Sequence, residues 1–178
     1  MTAYTIGTQV ESVGTMIIKT EKEMEKLLKE IEHTKGGSLS SKSHLKNALY
    51  DWRVEKQWDK ESSKVFSLED KGFMFISYTK REPRHCTLRH FFVLEQYRGK
   101  NIGAEMMKML EEDMKENYVM LLRFFANKPS IKFYEKLGYR WHGISKTGLP
   151  FTYWNIITKK LAPLPKTQER YIVKPTPM

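Results

Sequence analysis

The sequence predicts a mixed α/β (α+β) fold, a central sheet flanked by helices. Two observations predict it. Runs rich in β-branched and aromatic residues alternate with segments whose apolar residues recur at helical spacing. The second half of the chain is ordered as strand–loop–helix units. A length of 178 residues and a hydrophobic content of 40% suit one core and exclude global disorder. Residues 1–160 are therefore expected to form a single domain, with 1–14 a loose lead-in rich in Thr, Gly and Val and 161–178 a basic, Pro-rich tail.

Thr15–Lys19 reads as a short strand. Thr20 then stands as an N-cap with Glu23 three residues on, the spacing of a capping box. Met24, Leu27, Leu28 and Ile31 follow on one helical face, up to Lys35-Gly36-Gly37. A second helix is expected over about Ser43–Trp58, with Leu45, Leu49, Trp52 and Lys56 along one side. From Lys64 the period changes. Lys64–Leu68 and Gly72–Lys80 are β-rich runs about a hairpin turn at Glu69–Gly72, and Cys86–Leu94 is a third strand after the loop Arg81–Arg84. A helix is expected from Ile102 to about Asn117. Tyr118–Phe125 reads as a strand buried on both faces. Pro129–Leu137 is a short helix begun by Pro and closed by Gly138. Tyr139–Gly143 and Phe151–Ile157 are the last strands, and from Leu161 neither helical nor strand period is visible. Met106, Met107, Met109, Leu110 and Met114 read as a core face of the long helix.

The formal charge is +10, gathered in residues 78–100 and 151–178, while 1–50 nearly cancel. Such a balance serves solubility or attracts nucleic acid, an anionic membrane or a phosphorylated cofactor. The N-terminus has no secretory pattern and no apolar run approaches a membrane span. Cys86 is the only cysteine, so no internal disulfide can form. A soluble protein of a reducing, cytoplasmic compartment is expected, without membrane contact.

The segment with the clearest chemistry is Val93-Leu94-Glu95-Gln96-Tyr97-Arg98-Gly99-Lys100-Asn101-Ile102-Gly103-Ala104, between a strand and a helix. Glycine lets backbone approach a bulky anion, the helix start offers unpaired N–H groups and a positive dipole end, and Arg98 and Lys100 add charge. Together these make a pyrophosphate cradle. Neither the Walker ending nor the dinucleotide Gly-x-Gly-x-x-Gly spacing is present. On spacing alone, an ordinary strand-to-helix turn with solvated basic side chains stays open.

Arg98-Gly99-Lys100-Asn101-Ile102-Gly103 resembles the Gln/Arg-x-x-Gly-x-Gly/Ala loop of the GNAT acetyltransferases, with Asn101 in place of the middle glycine. Asn tolerates left-handed backbone better than most residues. Further on, Asn127 and Phe133-Tyr134-Glu135-Lys136-Leu137-Gly138-Tyr139 are similar to a second stretch of that family, in the expected order. The resemblance covers about residues 64–157. It implies an acyl-CoA-dependent N-acyltransferase using acetyl-CoA, with an amine attacking the thioester directly. It implies that the backbone of Arg98, Gly99, Lys100, Asn101, Ile102, Gly103 and Ala104 holds the CoA pyrophosphate. It also implies that Val93 and Leu94 run beside the pantetheine arm, that Asn127 hydrogen-bonds near it, and that Tyr134 protonates the leaving thiolate. A core aromatic is the other reading of Tyr134.

For the base that takes the amine proton, the candidates are His90 and Glu95, then Glu82 and His85. His142, Ser145 and Lys146, on a Gly- and Pro-bounded segment, are candidate acceptor contacts, against a plain hairpin loop. His85, Cys86 and His90 fit no standard zinc spacing, so no metal is expected, and Cys86 lacks the partners of a nucleophile. The acceptor is a small-molecule or protein amine, or a group on nucleic acid, which the charge, the basic tail with Tyr171, Trp52 and Trp58 would serve. A non-catalytic basic nucleic-acid-binding protein on the same scaffold is the alternative of another class.

Overall fold

The structure is a computed structural model and describes residues 15–18, 20–33, 46–47, 49–50, 53–54, 63–68 and 71–175. The strands are β1 (Thr15–Ile18), β2 (Ser63–Leu68), β3 (Gly72–Tyr78), β4 (His85–Val93), β5 (Leu121–Phe125), β6 (Gly143–Ile144), β7 (Pro150–Asn155), β8 (Lys160–Leu161) and β9 (Lys174–Pro175). The helices are α1 (Glu21–His33), α2 (Ile102–Glu116), α3 (Ile131–Lys136) and α4 (Lys166–Glu169), with 3-10 turns at Glu95–Tyr97 and Lys128–Ser130. The hydrogen-bonded strand order is β1–β2–β3–β4–β5–β7–β6–β9, with β8 on β7. The fold is mixed α/β, as the sequence predicts.

Two compact units are present, Met1–Ile76 with Arg89–Met106 and Ser77–Leu88 with Met107–Met178. The divisions fall inside β3, β4 and α2, not in linkers, so no shift in composition marks them in the sequence.

In the first unit the capping box forms as expected. The Glu23 N–H donates to Thr20 Oγ1 at 3.2 Å, and the Thr20 N–H donates to Glu23 Oε2 at 3.0 Å. This satisfies one of the donors that a helix start leaves open, worth about 1 kcal/mol. α1 then buries Met24, Leu27 and Leu28 against Val65, Phe73, Phe75, Phe92 and Leu94. Each such burial stabilises by roughly 1.5–3 kcal/mol. β1 pairs antiparallel with β2, Thr15 opposite Leu68. Of the expected second helix, Lys46, Asn47, Leu49, Tyr50, Arg53 and Val54 are helical. Arg53 reaches Glu21 and Glu25 of α1 at 2.6 and 3.1 Å. Leu45, Trp52, Lys56 and Trp58 lie outside the described residues, as do the lead-in and the turn residues Glu69 and Asp70.

In the second unit β4 starts parallel to β5, His85 opposite Leu121, and β5 is antiparallel to β7. β5 departs from expectation in two ways. It begins at Leu121, because Tyr118 has left-handed backbone (φ 56°) and ends the α2 turn. Its burial alternates, with Leu122 and Phe124 buried and Leu121, Arg123 and Phe125 half-buried. Phe124 meets Tyr134, Tyr139 and Trp141 at 4.6, 5.4 and 5.9 Å between ring centroids. Tyr139 and Trp141 were expected in a strand, but only Gly143–Ile144 pairs there.

The C-terminal segment, in which the sequence shows no helical or strand period, carries three short elements. β8 pairs with β7, α4 follows Pro165, and β9 pairs antiparallel with β6. Ala162 is buried, and Leu164, Tyr171 and Ile172 pack with Phe125, Phe151 and Tyr153. Three short pieces, the first two separated by Pro163 and Pro165, carry no period, so composition reads as tail although the anchors are apolar.

Gly143 admits this segment, because a Cβ there would lie 2.5 Å from Ile172 Cγ2 and 2.6 Å from the Lys174 carbonyl oxygen. Gly143→Ala is expected to destabilise the fold by about 1–3 kcal/mol in urea unfolding. It should also speed proteolytic cutting after Lys166 and Arg170.

Candidate functional site

The first patch, in the first unit, is the turn from β4 into α2. Its start is pinned, since the Leu94 N–H donates to the Lys71 carbonyl at 2.9 Å and Leu94 is fully buried. Lys71 precedes Gly72, where a Cβ would collide with the Phe92 carbonyl oxygen. The 3-10 turn Glu95–Tyr97 then brings Arg98 to Gly99 (φ 77°) and Asn101 (φ 63°), both left-handed. Asn101 thus adopts the conformation for which the family pattern uses glycine. The Asn101 carbonyl accepts the Glu105 N–H at 3.0 Å. The N–H groups of Ile102, Gly103 and Ala104 precede that donor, so they are the open donors of the first helical turn. With the helix dipole they favour an anion.

The charged side chains here also brace the turn. Arg98 Nε donates to the Val93 carbonyl at 2.9 Å, and its guanidinium lies 5.6 Å from the Phe92 ring centroid. Lys71 and Lys100 lie over the Tyr97 ring at 5.7 and 5.8 Å. The Val93 carbonyl and both backbone groups of Leu94 therefore already have partners, in Arg98, Lys71 and Tyr97. Glu95 is exposed at the head of the 3-10 turn. The His90 ring is half-buried and stacked on Phe75, 6.0 Å between centroids.

The second patch, in the second unit, follows β5. Asn127 is exposed, and its side chain makes no cap hydrogen bond. Tyr134 is buried, its ring among Phe124, Phe133, Tyr139 and Trp141. Burial pushes its phenol well above the ordinary value, so it is a neutral donor across the physiological range. Its hydroxyl has no hydrogen-bond partner among the described residues. Two other tyrosines differ. Tyr139 donates to Glu111 at 2.8 Å, where Lys159 also binds, and Tyr78 donates to Asp113 at 2.5 Å.

The hairpin candidates are mostly taken up by structure. Ser145 Oγ lies 2.9 Å from Thr147 Oγ1 and accepts the Leu149 N–H at 3.2 Å. A ring nitrogen of His142 lies 3.2 Å from the Tyr153 carbonyl oxygen. Ser145 and His142 thus hold the hairpin, and Lys146 alone of the three is exposed. Among the lesser base candidates, Glu82 Oε2 accepts the Arg84 N–H. His85 is held below its ordinary pKa, first by burial and further by the nearby Arg123 charge, while a contact with the Pro83 carbonyl opposes this. His85 and His90 fall on opposite faces of β4 by strand alternation, with Cys86 buried beside His85. No group of three metal-ligating side chains occurs among the described residues.

Sequence reasoning missed a row across three strands, Thr87 opposite Arg123 opposite Tyr153. Arg123 Nη1 donates to Thr87 Oγ1 at 3.4 Å, and its guanidinium lies 4.5 Å from the Tyr171 ring centroid. The Tyr153 hydroxyl is buried without a partner among the described residues. The available signal was a lone cation in the otherwise apolar run from Tyr118 to Phe125.

The model of the Acetyltransferase (GNAT) family matches residues 26–139, more than half of the chain. The chain belongs to the GNAT acetyltransferase family. Solved structures agree in fold. PaiA N-acetyltransferase of Thermoplasma acidophilum, solved with coenzyme A, is 15% identical with a TM-score of 0.55, over 77% of this chain and 96% of that one. An acetyltransferase of Thermus thermophilus is 16% identical with a TM-score of 0.60, over 79% and 96%. A protein of Clostridium acetobutylicum described as a predicted acetyltransferase, solved with acetyl-CoA, is 14% identical with a TM-score of 0.52, over 71% and 88%. No curated protein matches the sequence.

The left-handed backbone at position 101 of this GNAT member makes the turn sensitive to side-chain shape. Asn101→Gly should leave the urea midpoint unchanged or raise it. Asn101→Val should cost about 1–2 kcal/mol, because a β-branched residue is strained there.

Proposed function

We propose that this GNAT protein transfers an acetyl group from acetyl-CoA to a primary amine. The observation that carries the reading is the turn after β4, where left-handed Gly99 and Asn101 lead into the open N–H groups of Ile102, Gly103 and Ala104. Such a turn suits a pyrophosphate, and CoA carries one. The bound CoA and acetyl-CoA of the relatives from Thermoplasma and Clostridium support the same cosubstrate.

In the proposed reaction the amine nitrogen attacks the thioester carbon, the C–S bond breaks and an amide forms. Tyr134 gives its hydroxyl proton to the departing sulfur. Its buried, neutral phenol with an uncommitted hydroxyl supports this role. The proton lost by the nitrogen restores the phenol through solvent or a side-chain base. Glu95, exposed beside the turn, and His90, whose ring is packed on Phe75, are the candidate bases. Arg98 acts mainly as a brace, and Lys100 and the backbone hold the anion. Val93 and Leu94 line the pantetheine arm mainly by shape, and the exposed Asn127 amide binds it. Of the hairpin, Lys146 is left to contact the acceptor.

The charge of +10 favours a second reading for the acceptor, an amine carried by nucleic acid. A non-catalytic basic protein on this scaffold would bind nucleic acid without binding acetyl-CoA.

Calorimetry with acetyl-CoA is the first test. The wild-type protein should bind saturably, and Gly103→Glu, which puts a carboxylate among the open N–H groups, should not. Absence of wild-type binding at millimolar acetyl-CoA would sink the cosubstrate assignment.

Tyr134→Phe is expected to lower kcat about 10²–10⁴-fold, followed as CoA release with a panel of primary amines, with acetyl-CoA affinity kept. Because burial raises the Tyr134 pKa, the wild-type rate should show no loss from its ionisation up to its ordinary value near 10. An unchanged kcat in the variant would remove Tyr134 from the chemistry.

A further inference from the structure

The second unit has an exposed end built from three connections. β4 begins at His85, opposite Leu121 of β5, which in turn lies opposite Asn155 of β7. The loop before β4, the turn before β5 and the turn after β7 therefore emerge together. The Ile156 N–H donates to the Met120 carbonyl at 2.9 Å and ties two of them. The Asn155 side chain accepts the N–H groups of Ile157 and Thr158 at 2.9 and 3.1 Å, so the β7 turn is ordered. Asn127 lies beyond the opposite end of β5, which places this surface apart from that candidate residue.

Tyr118 is the unusual residue here. The Val119 N–H donates to the Met114 carbonyl at 2.9 Å and the Tyr118 N–H to the Lys115 carbonyl at 3.1 Å, a Schellman ending of α2. Tyr118 takes the left-handed position of that ending, which favours glycine. Nothing in its packing offsets this, since the residue is 88% exposed. Met120 and Ile157 stand out beside it, 54% and 52% exposed. Arg81, Arg84 and Lys160 are exposed on the flanking segments. The carboxylates at this end include Glu82, which accepts the Arg84 N–H, Glu111, which binds Lys159, Asp113, which binds Tyr78 and Asn117, and the exposed Glu116.

We propose that this end of the second unit binds single-stranded nucleic acid, with Tyr118 stacking on a base and Arg81, Arg84 and Lys160 contacting phosphates. A solvent-facing aromatic flanked by guanidinium groups is how unstacked bases and their backbone are held together. A membrane surface fits less well, because the apolar side chains are three, from two separate turns, and form no continuous amphipathic face. The inference does not rest on acetyl transfer and would hold for a protein that failed the calorimetric test.

The test is fluorescence anisotropy of a labelled 20-mer of deoxythymidine with the full chain, from 50 to 200 mM salt. Wild type should bind with a salt dependence set by phosphate contacts. Arg81→Ala/Arg84→Ala should flatten the slope of log K against log salt by about 1.4. Tyr118→Gly should weaken binding roughly tenfold while raising Tm by about 2–4 °C. Tyr118→Trp should restore binding. Both sets should keep the wild-type affinity for acetyl-CoA. The proposal fails if wild type does not bind the 20-mer at 50 mM salt, or if Tyr118→Gly binds as wild type does. It also fails if duplex DNA competes as well as single strand, or if vesicles with 30% phosphatidylserine are bound in preference.

Discussion

The hydrogen bond from the Leu94 N–H to the Lys71 carbonyl fixes where the principal candidate site begins. Everything in the β4–α2 turn is measured from it. Gly72 allows the start of β3 to press against the Phe92 carbonyl, and a side chain there would push the pair apart. Leu94 is then held in the core while the chain after it leaves the strand. Two left-handed residues, Gly99 and Asn101, reverse the direction and start α2. The three open N–H groups are therefore aimed by packing and backbone angles rather than by charged side chains. Arg98 and Lys100 supply field, but both lie back against aromatic rings of the turn. Backbone donors held rigidly in this way would lose little entropy on binding an anion.

A different physical device sets the second patch. Phe124 projects from β5 into a cluster of Tyr134, Tyr139 and Trp141, and this cluster removes the Tyr134 phenol from water. Desolvation alone raises its pKa. Tyr139 experiences similar burial but donates to a carboxylate, so its proton is already committed. The same residue type in the same cluster is thus structural in one place and chemically available in the other. What separates them is the presence of Glu111, not the degree of burial.

Much of this was legible in the sequence because local rules and tertiary packing agree. The Thr20–Glu23 capping box, the strands from residue 63 to 93 and α2 follow from spacing and propensity, and the structure repeats them nearly residue for residue. The Asn101 substitution was readable as tolerable because Asn accepts left-handed backbone, and its φ of 63° bears this out. Where the reading and the structure differ, the deciding contacts are helix-ending and turn hydrogen bonds that residue types do not announce. Tyr118 to Met120 looked like strand because they are apolar and aromatic, but the Schellman ending of α2 takes Tyr118 and Val119. Ser145 and His142, read as acceptor contacts or as parts of a plain hairpin loop, make hydrogen bonds within the hairpin. Their partners, Thr147, Leu149 and the Tyr153 carbonyl, are set by the turn geometry and the β6–β7 register.

The C-terminal segment shows most clearly why composition misleads. It is rich in Lys, Pro and Thr, and a count of residue types makes it a solvated tail. Its attachment depends on four points, Ala162, Leu164, Tyr171 and Ile172, spaced without period along residues 162–172. Tyr171 lies against Phe125 and Phe151 and takes the Arg123 guanidinium 4.5 Å from its ring centroid. Arg123 in turn sits mid-strand, a place where a cation is costly unless its charge is met. Ring faces and the Thr87 hydroxyl meet part of it. The cation within β5 and the attachment of the aperiodic C-terminal segment therefore have one explanation. The cation in the strand and the tyrosine near the end of the chain stabilise each other, and neither can be interpreted from its own neighbourhood in the sequence.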